Sequence, residues 1–218
     1  MPDNMPALRG LLVDWGGVLT TGLEDAFGRW AESDDLDLDT FSTAVVDWLA
    51  ATPVEAELNP IHALERGQLA VPDFERKLAA VLRRRDGGPV QPTGLLQRMF
   101  AHLEHQPQMA ALVRRAHTAG IRTALLSNSW GNTYPRDAWE GMFDDIVISG
   151  EVGLRKPEPE IFHLAAERLG LRVKQCVFVD DLELNIEGAR ALGMTAIHHT
   201  SYDETRRELQ ALFGFDLT

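Results

Sequence analysis

The chain has 218 residues, 44% of them hydrophobic and 25% charged, with a formal net charge of −12. That length fits one α/β domain carrying a modest insertion and burying a sizeable core. The acidic balance argues against nucleic acid as a partner, because binding a phosphate backbone needs a basic face. An anionic small molecule stays open, since a bound divalent cation reverses the local sign of charge. The single cysteine, Cys176, cannot form an internal disulfide, and its apolar setting in "QCVFVDD" reads as a buried strand thiol. The start "MPDNMPALRG" has neither a basic n-region nor an apolar h-region, and no apolar run reaches membrane-spanning length. The expectation is a cytoplasmic protein with no membrane partner; nothing in the sequence sets its oligomeric state.

In chain order, "RGLLVDW" (9–15) predicts a short, wholly apolar strand of the kind buried on both faces of a parallel sheet. Residues 19–94 differ: "EDAFGRWAES", "TFSTAVVDWLAA", "IHALERGQL" and "VPDFERKLAAVLRRR" all have helical period and no convincing strand. Pro72 and Asp73 form a helix start, and "RRRDGGP" a stop. Beyond them four more apolar strands are predicted, at 121–129, 144–150, 174–181 and 194–200. The helices between them end at Gly120, Gly170 and Gly193. Such alternation predicts an open parallel sheet with right-handed crossovers, residues 1–18 and 95–218, interrupted by a helical insertion over 19–94.

Sites in open α/β sheets lie at the carboxyl ends of the strands. Those ends carry Asp14, then Ser127 with Asn128, then Gly150 with Glu151, then Asp180 with Asp181. Asp14 alone is a nucleophile, a metal ligand or a turn residue before Gly16 and Gly17. Asp180 and Asp181 alone are a helix cap and a first-turn acid. Together, three carboxylates make a hard oxygen site that suits Mg²⁺. The hydroxyl and amide of "SNS" and Lys156 of "LRKPEPEIF" suit a phosphate beside it.

With these motifs in order, "LLVDWGGVLT", "ALLSNS", "GLRKPEPEIF" and "VFVDDLELNIEGARALGM", the sequence resembles the haloacid dehalogenase-like hydrolases over nearly its whole length. The resemblance implies a Rossmann-like core and a cap of bundled helices, to which "LERGQLAVPDFERKLAAVL" is similar. Carried over, it implies Asp14 as a nucleophile forming an aspartyl-phosphate, with Ser127 and the Asn128 backbone holding phosphate oxygens. Lys156 would balance charge. Mg²⁺ would be held by Asp14, the Gly16 carbonyl and Asp181, with Asp180 orienting Lys156 or a metal-bound water. Asn185 would prop the fourth-motif loop. Metal-free dehalogenases lack the paired acids that "VDD" keeps, so phosphoryl transfer from a small phosphorylated metabolite is the expected chemistry.

The usual phosphatase pattern places a second aspartate two residues after the nucleophile, where it protonates the leaving oxygen and then activates water. Here Gly16 stands there. Three outcomes follow. The enzyme works with a substitute or with a good leaving group such as a sugar 1-phosphate; the D-x-G-x-V pattern is similar to a subgroup containing glucose-1-phosphate phosphatase. The second is a phosphate-binding protein without turnover that serves a partner. In the third, "DWGG" is similar to the "DWAG" of phosphonoacetaldehyde hydrolases, which form a Schiff base through a cap lysine; only Lys77 is on offer, at a position that reads as helix surface.

Other residues carry plainer expectations. Trp15 packs in the core or shapes the substrate pocket. Thr20 and Thr21 read as hinge residues where the chain crosses into the cap. His198 and His199, adjacent on a strand, point to opposite faces and make a poor metal pair. His102 and His105, three apart in "AHLEHQ", read as a solvated helix face.

Overall fold

The structure, a computed structural model, describes residues 7–49, 59–131, 133–214 and 216. The first six residues, and the end of the predicted 40–51 helix at Ala50 and Ala51, lie outside the described residues. Five strands, β1 (Gly10–Val13), β2 (Arg122–Ser127), β3 (Asp145–Ile148), β4 (Cys176–Asp180) and β5 (Thr195–His198), form one parallel sheet in the order β3-β2-β1-β4-β5. Each falls inside a predicted segment. The reason is the one given above: a strand buried on both faces has no polar side to show, so its apolar run is continuous.

Side-chain alternation divides the core into two layers. Leu11, Val13, Leu125, Val177 and Val179 face helices α6 (Pro107–Thr118) and α10 (Tyr202–Phe213), meeting Met109, Leu112, Val113 and Leu209. Leu12, Leu126 and Phe178 face the other way, onto Ile161, Phe162 and Ala165 of α8 (Pro159–Arg168), which follows the one-turn α7 (Ser149–Val152), and onto Ile186 and Ala189 of α9 (Glu183–Ala191). Three of these helices stop where expected, with Gly120, Gly170 and Gly193 all at positive φ (91°, 69° and 75°).

Between β1 and β2 lies the helical insertion, with α1 (Leu23–Ser33), α2 (Leu38–Leu49), α3 (Pro60–Glu65), α4 (Val71–Val81) and α5 (Leu95–Phe100). They share a core of their own around Trp30, Phe41, Ile61, Phe74 and Leu78. Leu95, Leu96 and Met99 belong to that core as well, so the helical layer as packed runs past the expected division at residue 94. The predicted 71–85 helix stops earlier, because Leu82 turns extended (φ −73°, ψ 156°) to bury its side chain. The chain then pairs Arg84 with Leu36. α5 ends at Phe100, which puts His102 and His105 in a turn and an extended crossing rather than on a helix face. Their reading as helical residues is corrected: Leu103 is still drawn toward the core, and the chain must turn back to reach β2.

The insertion leaves and rejoins the sheet along one seam. Thr20 bridges His105 in antiparallel fashion, Thr21 N donates to the Glu104 carbonyl at 2.8 Å, and Gln106 N donates to that of Leu19 at 2.9 Å. The Thr20 hydroxyl, buried beside the Gly17 amide, ties this crossing to the turn after β1.

Candidate active site

Strand register brings the carboxylates together. β1 is the central strand, with Val13 paired to Leu125 on one side and Val179 on the other. Asp14 N continues the ladder to the Val179 carbonyl (3.0 Å), so Asp14 emerges beside Asp180, one residue beyond Val179. The Lys156 ammonium, 1% exposed, sits between them, 2.9 Å from Asp14 Oδ1 and 2.6 Å from Asp180 Oδ2. Asp180 is held by further donors: the Leu182 amide (2.8 Å) and Asn185 Nδ2 (3.0 and 3.1 Å to its two oxygens). Asn185 thus props the loop after β4 through Asp180.

Ligand oxygens of Asp14, Asp180 and Asp181 lie within 4.8 Å of one another. Asp181 Oδ1 is buried with no hydrogen-bond partner among the described residues. A buried carboxylate oxygen left unpaired is costly in a protein interior and is satisfied by a cation. All the donors are hard oxygens, so the residues fit Mg²⁺. Burial, opposed by Lys156 and reinforced by Asp180 and Asp181, raises the Asp14 carboxyl to about 8. Burial first and Asp180 second push Asp181 up to about 6. Burial works against the Lys156 charge, but Asp14 and Asp180 outweigh it and the ammonium is held above its ordinary range.

A pH dependence follows. Both acids keep protons that an unfolded chain has shed above about pH 4, so intrinsic stability falls as pH rises through the window up to about 8. A cation on these carboxylates displaces those protons, so its affinity rises over the same window. Mg²⁺ is therefore expected to raise the melting temperature more at pH 8 than at pH 6. An equal shift at both pH values would place the ion elsewhere.

Gly17 makes room for this cluster. A Cβ there would lie 2.0 Å from Asp181 Oδ2, and its φ is +72°. Gly17→Ala is expected to push Asp181 aside and lose about 1–2 kcal/mol in backbone strain alone. Titration calorimetry with Mg²⁺ should show weakened binding.

The remaining predicted residues line one cavity of about 250 Å³, bounded by Asp14, Trp15, Gly16, Ser127, Asn128, Lys156 and Asp181. Ser127, at the end of β2, shares a hydrogen bond with the Tyr134 hydroxyl (3.0 Å), and burial pushes that phenol up to about 12. Asn128 clamps the Lys156 backbone with its side chain: Nδ2 donates to the Lys156 carbonyl (3.0 Å) and Oδ1 accepts from its amide (2.9 Å). The amide side chain therefore positions Lys156, a task not anticipated for it. Trp15 packs edge-on against Tyr134 (4.9 Å) and also lines the cavity. At Gly16 an added Cβ would meet only the Leu23 side chain, at 3.5–3.8 Å, so apolar surface stands where the missing acid would begin.

Sequence reasoning missed a cluster from the helical layer. Glu65, at the end of α3, is buried and reaches across the cavity to Arg155 Nε (2.5 Å), while Trp130 Nε1 donates to its other oxygen (3.0 Å). Arg66 pairs with Glu158 next to it. No local signal marks Glu65, whose partners are 65 and 90 residues away. His198 and His199 diverge as expected: His198 Nδ1 lies 3.0 Å from Glu183, and His199 Nδ1 lies 2.8 Å from the Thr205 hydroxyl. Lys77 is exposed on α4 and does not line the cavity. Burial pushes the Cys176 thiol up to about 12, which leaves it an inert strand residue.

A parallel α/β sheet with an acid cluster at its carboxyl edge defines a class, and comparison with known sequences fixes which one. The chain belongs to the haloacid dehalogenase-like hydrolases, whose family model matches residues 8–193. It is 27% identical over 218 residues to mouse acyl-CoA dehydrogenase family member 10, covering 96% of this chain but 19% of that protein. It is 32% identical over 104 residues to the glyceraldehyde 3-phosphate phosphatase of Methanopyrus kandleri, covering 45% of this chain and 44% of that one. Among solved structures, a HAD family enzyme from Bacteroides thetaiotaomicron in complex with magnesium and inorganic phosphate superposes with a TM-score of 0.63. It is 21% identical, with 88% of this chain and 93% of that one covered. The protein is a HAD-like hydrolase with phosphatases among its relatives. No helix among the described residues is long and apolar enough to cross a membrane.

Proposed function

We propose that the protein is a Mg²⁺-dependent phosphatase that hydrolyses a small phosphorylated metabolite through an aspartyl-phosphate on Asp14. The observation that carries this reading is the convergence of Asp14, Lys156 and the unpaired Asp181 oxygen on one cavity, with Asp180 buried against Lys156. Asp14, Asp181 and the Gly16 carbonyl would hold Mg²⁺, which when bound would supply charge neutralisation for the phosphoryl oxygens. Asp14 Oδ attacks phosphorus in line, and the ester oxygen leaves with its electron pair. Lys156 screens the charge on both the nucleophile and the phosphoryl group, while the Ser127 hydroxyl and the Asn128 amide hold equatorial oxygens. Water then cleaves the acyl-phosphate and restores Asp14. In this reading the parallel sheet with α6 and the helices after it forms the catalytic core, and the insertion between β1 and α6, which the sequence set at 19–94 and which packs on through α5, is the cap that encloses the substrate. The single-cysteine, acidic chain fits the cytoplasm as its place of action.

Phosphate release from a panel of phosphomonoesters tests this. Turnover is expected to need Mg²⁺, to stop with EDTA, and to vanish in Asp14→Asn. Lys156 keeps Asp180 as a partner in that variant, and its melting curve shows whether the loss of turnover comes from a folded protein. A folded protein that binds phosphate yet releases none from any ester would support the second reading, a phosphate-binding protein without turnover, which the absent side chain at Gly16 favours. The C–P hydrolase reading is the weaker one, because Lys77 is exposed and does not line the cavity.

A further inference from the structure

Beyond the phosphoryl machinery, the cavity wall is apolar. Leu23, Phe27, Ile61, Phe100, Trp130 and Leu184 line it, and three of these are aromatic. Among the described residues its remaining charged groups are Glu65 and Arg155: Arg155 Nε and the Trp130 indole engage the two Glu65 oxygens, and the Arg155 side chain is 10% exposed. Glu65 therefore offers a leaving group little free hydrogen-bonding capacity. A polyol entering this space would leave several hydroxyls without partners, each at the cost of lost hydration. An aromatic ring would meet matching surface.

A second observation is independent of the wall. Gly16 provides no side chain to protonate a leaving oxygen, and Leu23 stands against that position. Glu65 is the cavity-lining carboxylate outside the Asp14–Asp181 cluster among the described residues, and it is already engaged. Among the described residues no unengaged acid beyond the Asp14–Asp181 cluster lines the cavity, so a group that departs as a stable anion is favoured. A phenol, with a pKa of about 10, does so far more readily than an alcohol.

Resting on the phosphatase reading, we infer that the substrate is an aryl phosphate monoester, its ring held between the helical layer and the start of α9 at Leu182 and Leu184. Asp14 forms the new O–P bond as the aryl C–O–P bond breaks at P–O. The phenolate leaves with the electron pair and takes a proton from water. In the second half-reaction water attacks phosphorus, giving inorganic phosphate and free Asp14.

Two measurements test it. The first compares kcat/KM for phenyl phosphate, hexyl phosphate, glucose 1-phosphate and glycerol 3-phosphate. The second measures Kd for phenylphosphonate and methylphosphonate in the Asp14→Asn variant with Mg²⁺, read through quenching of the cavity-lining Trp15 and Trp130. Phenyl phosphate is expected to be the best ester and hexyl phosphate to be limited in kcat. Phenylphosphonate should bind about tenfold tighter than methylphosphonate or better, since burying a ring removes apolar area from water. Equal affinity for the two phosphonates, or glucose 1-phosphate matching phenyl phosphate, overturns the aryl assignment and leaves the phosphatase reading in place. No Asp14-dependent release from any ester overturns both.

Discussion

A Lys156→Met variant is expected to lose about 3–5 kcal/mol of stability, the cost of breaking a buried ion pair by removing one partner, and to release no phosphate. Methionine keeps much of the side-chain volume, so the effect is electrostatic. Lys156 is 1% exposed and touches two carboxylates, Asp14 and Asp180, that are themselves out of water. Without the ammonium the three acids repel one another and must take up protons. Asp14 already holds its proton to about pH 8 in the presence of the lysine, chiefly because of burial. Its folded value lies above that of the unfolded chain, so the deficit starts above about pH 4 and widens as pH rises. Denaturant melts at pH 5 and pH 8 should therefore show a larger loss at the higher pH, and added Mg²⁺ should recover part of it. A pH-independent loss would mean that the lysine acts through packing, including its approach to the Phe178 ring at 5.4 Å.

Gly16→Asp is expected to raise turnover of alkyl phosphates by as much as about 10²–10⁴, the usual worth of general acid–base catalysis, and to change aryl phosphates least. The position accepts a side chain. Gly16 is not among the residues at positive φ, and the nearest atoms to an added Cβ belong to Leu23 at ordinary contact distance. The new carboxyl would point along the cavity that holds the leaving group. Plotting log kcat/KM against leaving-group pKa for both proteins checks this. A shallower slope in the variant shows proton donation. Parallel lines would show that Leu23 keeps the carboxyl out of reach, and Leu23→Ala in the same background should then restore the effect.

The strands and the acid cluster were legible because both are local facts. A strand buried on two faces is a continuous apolar run, and the residue that ends it sits at the sheet's carboxyl edge whatever the rest of the chain does. Asp14, Ser127 and Asp180 each close such a run. The cavity wall was not legible. Leu23, Phe27 and Ile61 fit the ordinary apolar face of a helix, and Glu65 resembles any solvated acid near a helix end. Their role depends on how the helical layer leans over the sheet, which is set by contacts such as Glu65–Arg155 and Arg66–Glu158 between distant residues. Asn128 shows the same limit. Its place beside the phosphate site could be read from the strand end, but its grip on the Lys156 backbone depends on a loop 28 residues further on. The helical reading of His102 and His105 failed for a related reason: a spacing of three residues does not record where the chain must reverse.

The seam at Thr20–Thr21 and Glu104–Gln106 has a consequence for how the molecule can change. Entry and exit of the insertion are neighbours joined by backbone hydrogen bonds, so the chain passes between the sheet and the helical layer at a single two-stranded stem. Everything beyond the stem is thus a replaceable graft. A different head, or a short loop closing Thr21 onto Glu104, would leave β1, β2 and the carboxylate cluster in register. In the proposed reading, the part of the cavity wall that comes from the insertion could vary while the carboxylate cluster stays in place.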